Sequence, residues 1–235
     1  MTGEIHLIRH DDFELPGRIA GWAAARGRPV RDVLFFRGDS VAIPPAAEVE
    51  TLLIMGGTMS ANDDAGHPWL RMEKKWISDA IASGSKVLGI CLGSQLLASI
   101  LGGRVYRAKH REIGWFPVRR TEEARDTPFW SAIPEVHDAF LWHSDTFDIP
   151  PGALKFASGE GAENQGFTWR DSVVAVQFHP EMTLEGAEAI VANSAHEIVP
   201  GPYVQQPESF LAGHERYAAL ERVMYSLLDR LVEIE

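Results

Sequence analysis

Lys86-Val87-Leu88-Gly89-Ile90-Cys91-Leu92-Gly93-Ser94-Gln95 is the stretch on which the reading of the fold turns. Residues 86–90 form a short apolar run of the kind buried on both faces of a parallel sheet. Residues 92–101 have helix composition and stop at Gly102-Gly103. Strand therefore passes into helix at Cys91 with almost no loop between them, and Gly89 and Gly93 give the backbone room to bend.

Upstream, short apolar runs at 5–9, 30–36 and 50–55 alternate with helical patterns at 16–26 and 68–83. The first of these helices has Pro16 at its start and Gly27 just past its end. In the second, Trp69, Met72, Trp76, Ile77 and Ala80 fall near one face. Strands alternating with helices predict βαβ units and a parallel sheet.

Downstream the character changes. Runs at 104–120, 139–147, 154–158 and 165–170 are separated by Pro, Gly and Asp and read as antiparallel strands and hairpins. A buried-type strand at 173–178 ends at His179-Pro180-Glu181, and Thr183 is placed to cap a helix running to about 195. A connector with Pro200, Gly201, Pro202 and Pro207 leads to a helix predicted over 209–232. Its stripe of Leu220, Val223, Met224, Leu227, Leu228 and Leu231 either packs on its own domain or forms a homodimer interface. The expected organisation is one domain over 1–195 and a helical extension over 196–235 that packs on it.

The chain has 235 residues, is 45% hydrophobic and 23% charged, and carries a formal net charge of −11. That balance argues against a nucleic-acid partner, whose binders present basic patches. The basic run Arg104-Val105-Tyr106-Arg107-Ala108-Lys109-His110-Arg111 reads as a solvated strand edge. No apolar run reaches the roughly 20 residues needed to span a bilayer, and the N-terminus does not read as a secretory signal. The one cysteine cannot form an intrachain disulfide, which fits a reducing cytoplasm. His6, His10, Asp11 and Asp12 cluster near the first strand, but their spacing matches no compact metal-ligand motif, and no cofactor is expected.

Three constellations can carry chemistry. Cys91 sits at the elbow, where the free N–H groups and partial positive charge of a helix N-terminus favour a thiolate; the alternative is a buried small hydrophobe. His179-Pro180-Glu181 follows another strand. Ligands of an open parallel sheet gather outside the carboxyl ends of its strands, so the sheet can bring His179 to Cys91 across 88 positions. A cysteine nucleophile needs a base, and the base needs an orienting acceptor, which Glu181 can supply. Gly56-Gly57-Thr58 follows a third strand and is either a simple turn or, with the Leu92 N–H, a source of oxyanion-hole donors.

Cys91-Leu92-Gly93-Ser94-Gln95, Leu101-Gly102-Gly103 and Gln177-Phe178-His179-Pro180-Glu181 together resemble the class I (triad) glutamine amidotransferase family. Met55-Gly56-Gly57-Thr58-Met59-Ser60 and Pro68-Trp69-Leu70 resemble its stand-alone members related to the amidotransferase domain of GMP synthase. The resemblance implies a three-layer α/β/α fold with a mostly parallel central sheet, a small antiparallel sheet and a C-terminal helix. It implies Cys91 as nucleophile, His179 as acid/base, Glu181 as orienting carboxylate, and Gly57 and Leu92 as oxyanion-hole donors. It places Gln95, His143, Asp145 and Gly56 at the substrate. Ser94 departs from members that carry His there. No Gly-rich nucleotide loop follows, so an acceptor or synthetase would be a separate protein. The expected reaction is release of ammonia from glutamine. The alternatives are a γ-glutamyl peptide or amide hydrolase and a partner-dependent glutamine-binding regulatory subunit.

Overall fold

A computed structural model describes residues 3–40 and 43–233. Its strands are β1 (Ile5–Ile8), β2 (Val30–Val33), β3 (Thr51–Ile54), β4 (Lys86–Ile90), β5 (Val105–Arg120), β6 (Val136–Phe147), β7 (Ala153–Ser158), β8 (Gly166–Trp169) and β9 (Val173–Val176). Its α-helices are α1 (Arg18–Ala25), α2 (Trp69–Ala82), α3 (Leu92–Ile100), α4 (Leu184–Ser194), α5 (Pro207–Leu211) and α6 (His214–Glu233).

Among the described residues the strands form one sheet in the order β2-β1-β3-β4-β9-β8-β7-β5-β6. The ladders from β2 to β9 are parallel. Those from β9 to β6 are antiparallel. The antiparallel strands thus continue the parallel sheet edge to edge rather than standing apart from it. Register aligns the strand ends: Ile8 pairs with Ile54, Ile54 with Gly89, and Ile90 with Val176. The loops after β1, β3, β4 and β9 therefore leave the sheet at one rim.

Alternation along the parallel strands sorts the core into two layers. Leu7, Leu53, Leu88, Ile90 and Val176 face α1 and α6, meeting Ile19, Trp22, Val223 and Leu227. Ile8, Leu52, Ile54, Val87 and Ala175 face α2 and α3, meeting Leu70, Ile77, Leu96 and Leu97. This is the three-layer α/β/α arrangement. A third cluster joins β5 and β6 to α4, α5 and α6 through Trp115, Phe140, Trp142, Ile190, Phe210 and Tyr217.

Two elements differ from expectation. The C-terminal helix is broken at Ala212-Gly213. The Phe210 carbonyl accepts from Trp115 Nε1 and from the Tyr217 hydroxyl, both at 3.0 Å, so side-chain donors cap the short α5 and end it. In α2, Met72 is 48% exposed, and the buried face runs instead through Leu70, Glu73, Trp76, Ile77 and Ala80. An acid occupies the core stripe because it has a buried partner there, described below. The α6 stripe is buried within its own chain. There Trp22 Nε1 donates to Asp229 at 2.8 Å, Arg26 pairs with the same carboxylate, and Arg18 pairs with Glu221 at 2.8 Å.

Candidate active site

Cys91 is the one-residue elbow between β4 and α3, at φ 50° and ψ −107°. A non-glycine residue pays for this left-handed conformation in steric strain, and such strain persists only where the surroundings fix it. They do so here. Cys91 N donates to Val176 O at 2.9 Å, Gly93 N to Met55 O at 3.1 Å, and Ser94 Oγ to Cys91 O at 2.6 Å. Gly93 is required, since a Cβ there would overlap Ile54 O.

Cys91 is 6% exposed. Its Sγ lies 3.6 Å from the Trp142 carbonyl and receives Gln177 Nε2 at 3.6 Å. The carbonyl can only accept the thiol proton, whereas the amide donor supports negative charge on sulfur.

His179 follows β9, and its N–H donates to Phe140 O at 2.8 Å. Its Nδ1–H donates to Glu181 Oε1 at 2.7 Å, while Nε2 has no hydrogen-bond partner among the described residues. Burial lowers the affinity of this imidazole for a proton, but Glu181 and the neighbouring Cys91 outweigh it and hold the pKa well above the ordinary value. The Glu181 carbonyl accepts from Arg18 N at 3.0 Å, which ties the loop to the start of α1.

A cavity of about 410 Å³ opens over these groups. Cys91, His179, Gly57, Leu92, Gln95, His143 and Asp145 all line it. The N–H groups of Gly57 and Leu92 have no backbone partner among the described residues. Gln95 Nε2 donates to Asp145 O at 3.1 Å and to Gln177 Oε1 at 3.2 Å. Asp145 accepts from Ser60 Oγ at 2.8 Å and faces Arg107 at 3.6 Å.

His143 and Gly56 are each tied to buried partners. Both ring nitrogens of His143 are engaged, Nδ1 with Asp145 O and Nε2 with Glu112, each at 2.9 Å. Gln165 Nε2 reaches the same carboxylate at 2.7 Å, so the His143 side chain is tied into the sheet. Gly56 turns its carbonyl to the buried His10 at 2.5 Å and does not line the cavity.

Other wall residues were not legible as site residues. Arg107 and Arg111, read from sequence as a solvated edge, border the cavity because the β5–β6 register shifts between Arg107 and Glu112. Arg111 Nε donates to Ser144 Oγ at 2.7 Å. His196, Glu197 and Val199 close another side, held by Trp142 Nε1 on Glu197 at 3.3 Å. Phe13 and Glu14 form the wall near His179. Burial pushes the Glu14 carboxyl up to about 7 against the opposing pull of His179 and His10. The only available signal was position, just after a strand end at the ligand rim.

The family model of class-I glutamine amidotransferases matches residues 31–198. The chain is 30% identical to the glutamine amidotransferase-like protein YfeJ of Salmonella typhimurium over 198 residues, covering 83% of this chain and 82% of that protein. It is 32% identical over 163 residues to one subunit of the glutamine-hydrolysing GMP synthase of Sulfolobus acidocaldarius, covering 65% of this chain and 81% of that protein. Its matches to the glutamine-hydrolysing GMP synthases of Thermomicrobium roseum and Bdellovibrio bacteriovorus cover 19% and 23% of those proteins. A crystal structure of a glutamine amidotransferase from Thermotoga maritima superposes with a TM-score of 0.89 at 30% identity, covering 100% of both chains.

Proposed function

Because this chain belongs to the class-I glutamine amidotransferase family, we propose that it hydrolyses the side-chain amide of glutamine through Cys91, His179 and Glu181. The observation that carries the reading is the strained Cys91 elbow beside an imidazole whose Nδ1 is held by Glu181 and whose Nε2 has no other partner among the described residues.

The thiol first turns from the Trp142 carbonyl toward His179, which takes its proton. The thiolate attacks the amide carbon, and the Gly57 and Leu92 N–H groups receive the developing oxyanion. His179 returns the proton to the leaving nitrogen, the C–N bond breaks, and ammonia departs from a γ-glutamyl thioester. Water, activated by the same imidazole, cleaves the C–S bond, releases glutamate and restores the thiol. Glu181 keeps the ring oriented and supports its charged form. Gln95, Asp145 and Arg111 line the part of the cavity suited to the amino-acid end of the substrate. His143 serves there through its backbone, with its ring bracing Asp145.

The cavity continues past Cys91 to Phe13 and Glu14, beside the imidazole that must meet the leaving group. This room favours a second reading, cleavage of a γ-glutamyl amide or peptide with a leaving amine larger than ammonia. Since the relatives include a GMP synthase built from separate subunits, the acceptor of any ammonia would be a separate polypeptide. We treat 196–235 as an extension integral to the domain, since its described residues supply part of the cavity wall and cover one face of the sheet.

The test is to measure ammonia, amine and glutamate from glutamine and a panel of γ-glutamyl amides, with wild type and Cys91→Ala. Wild-type turnover that Cys91→Ala abolishes is expected. Equal turnover by the two proteins overturns the nucleophile assignment.

A further inference from the structure

We infer that the buried pair His10–Glu73 is a positioning device for the oxyanion hole, holding the Gly56 carbonyl so that the Gly57 N–H is aimed into the cavity. The inference rests on the reading of Gly57 as an oxyanion donor.

The geometry comes from three elements. His10 follows β1, Gly56 follows β3, and Glu73 lies on the core face of α2. His10 Nδ1 meets Gly56 O at 2.5 Å and Nε2 meets Glu73 Oε1 at 2.9 Å, with neither side chain exposed. In a trans peptide the carbonyl and the following N–H point in opposite directions. Pinning Gly56 O inward on His10 therefore turns the Gly57 N–H outward, where the cavity lies. One residue on, Thr58 N and Oγ1 both bind Asp11 Oδ2, at 3.1 and 3.2 Å, so the loop is fixed on both sides of Gly57.

The proton inventory adds a condition. A backbone carbonyl and an ionised carboxylate are both acceptors, so with Glu73 ionised the two bonds together need a proton on each ring nitrogen. A neutral imidazole satisfies one acceptor and turns a lone pair on the other. Burial works against the charged ring, but Glu73, the Gly56 carbonyl and Glu14 outweigh it and raise its pKa. Those are the groups that face His10, from α2, the loop after β3 and the loop after β1; the Trp69 ring stacks on it at 6.0 Å. The imidazolium is favoured below its raised pKa, and the lock is lost as pH rises through it.

The test compares His10→Asn, which keeps a donor near the Nδ1 position, with the double variant His10→Leu/Glu73→Leu, which removes the lock without stranding a buried carboxylate. The readouts are kcat, KM for glutamine, and inhibition by glutamate γ-semialdehyde, whose thiohemiacetal on Cys91 carries the oxyanion; free glutamate is the ground-state control. The double variant should lose about 10²-fold in kcat and in aldehyde affinity, the scale of one oxyanion donor, with KM and glutamate affinity little changed. His10→Asn should recover most of that loss. Glu73→Gln lets a neutral His10 keep both bonds, because the amide can donate to Nε2, so the alkaline fall in aldehyde affinity should shift upward or disappear. Imidazole ¹⁵N spectra of the unliganded protein should show both His10 nitrogens protonated at neutral pH. A neutral His10, or kcat and aldehyde affinity unchanged in a folded double variant, overturns the inference. A wild type that cleaves no γ-glutamyl amide, yet binds the aldehyde in a His10-dependent way, sinks the amidohydrolase reading and leaves the lock standing.

Discussion

His179–Glu181 and His143–Glu112 are both buried histidine–carboxylate pairs, with N···O distances of 2.7 and 2.9 Å. What separates them is the rest of the ring. His179 stands where the parallel half of the sheet ends and lines the cavity, and its Nε2 has no hydrogen-bond partner among the described residues. His143 lies within the antiparallel half, directly across the β5–β6 ladder from Glu112, and its Nδ1 is bound to Asp145 O. Residue type and burial do not distinguish a group suited to proton transfer from one that braces a strand; the unsatisfied nitrogen does. Parallel strands deliver chain ends to a common rim, whereas antiparallel neighbours satisfy one another across the ladder.

Replacing each carboxylate by its amide tests this contrast. Glu181→Gln should have the largest effect. The amide can still accept from Nδ1, but it no longer supports a charged ring. A fall of about 10³ in kcat is expected, below the ~10⁴ seen when the orienting carboxylate of a serine triad is amidated, since a thiol needs less help than a hydroxyl. Steady-state kinetics on glutamine at neutral pH checks this. Glu112→Gln should instead act on stability. It weakens the bonds from His143 and Gln165 and should cost about 1–3 kcal/mol in denaturant unfolding. Its kcat should fall by less than about tenfold. If Glu112→Gln lowers kcat as far as Glu181→Gln does, the proposed division between the two pairs is wrong.

The same contrast explains what could be read from the sequence. The elbow and His179-Pro180-Glu181 were legible because each is a contiguous motif at the end of an apolar run, and strand order alone brings their loops to one rim. The three layers were legible because the helices and strands carry distinct periods. The walls of the cavity were not. Arg111 reaches the cavity through a register shift in β5, Glu197 through a segment returning to β6, and His10 finds Glu73 across 63 positions. Such pairings depend on where elements cross, which local pattern does not encode. Glu73 did leave a trace. A helix whose apolar stripe reads Leu70, Glu73, Trp76, Ile77 and Ala80 holds a carboxylate where burial demands a partner. Placing Met72 on that face hid the signal.

Glu14 supplies the smallest effect on turnover and the test that depends most on sign. Its carboxyl borders the cavity near His179 and makes no hydrogen bond among the described residues, so it resembles neither pair. Burial raises its pKa from 4.5 to about 7, the reverse of a carboxylate held by a cation. The folded protein therefore binds this proton more tightly than the unfolded chain. Between pH 4.5 and about 7 stability should fall as pH rises, and above about 7 the penalty should be complete and flat. Glu14→Gln is always neutral and should remove that slope. The stability lost by wild type between pH 5 and pH 8 should exceed the variant's by about 1–3 kcal/mol, measured by denaturant unfolding at both pH values. Turnover of glutamine at pH 7 should change only a few-fold, because in the proposed mechanism Glu14 borders the leaving-group side without holding the triad. A variant that becomes less stable than wild type at pH 8 would mean that the Glu14 carboxylate is held by a favourable charge, as in the other two pairs, and that the contrast drawn between them stops short of this wall of the site.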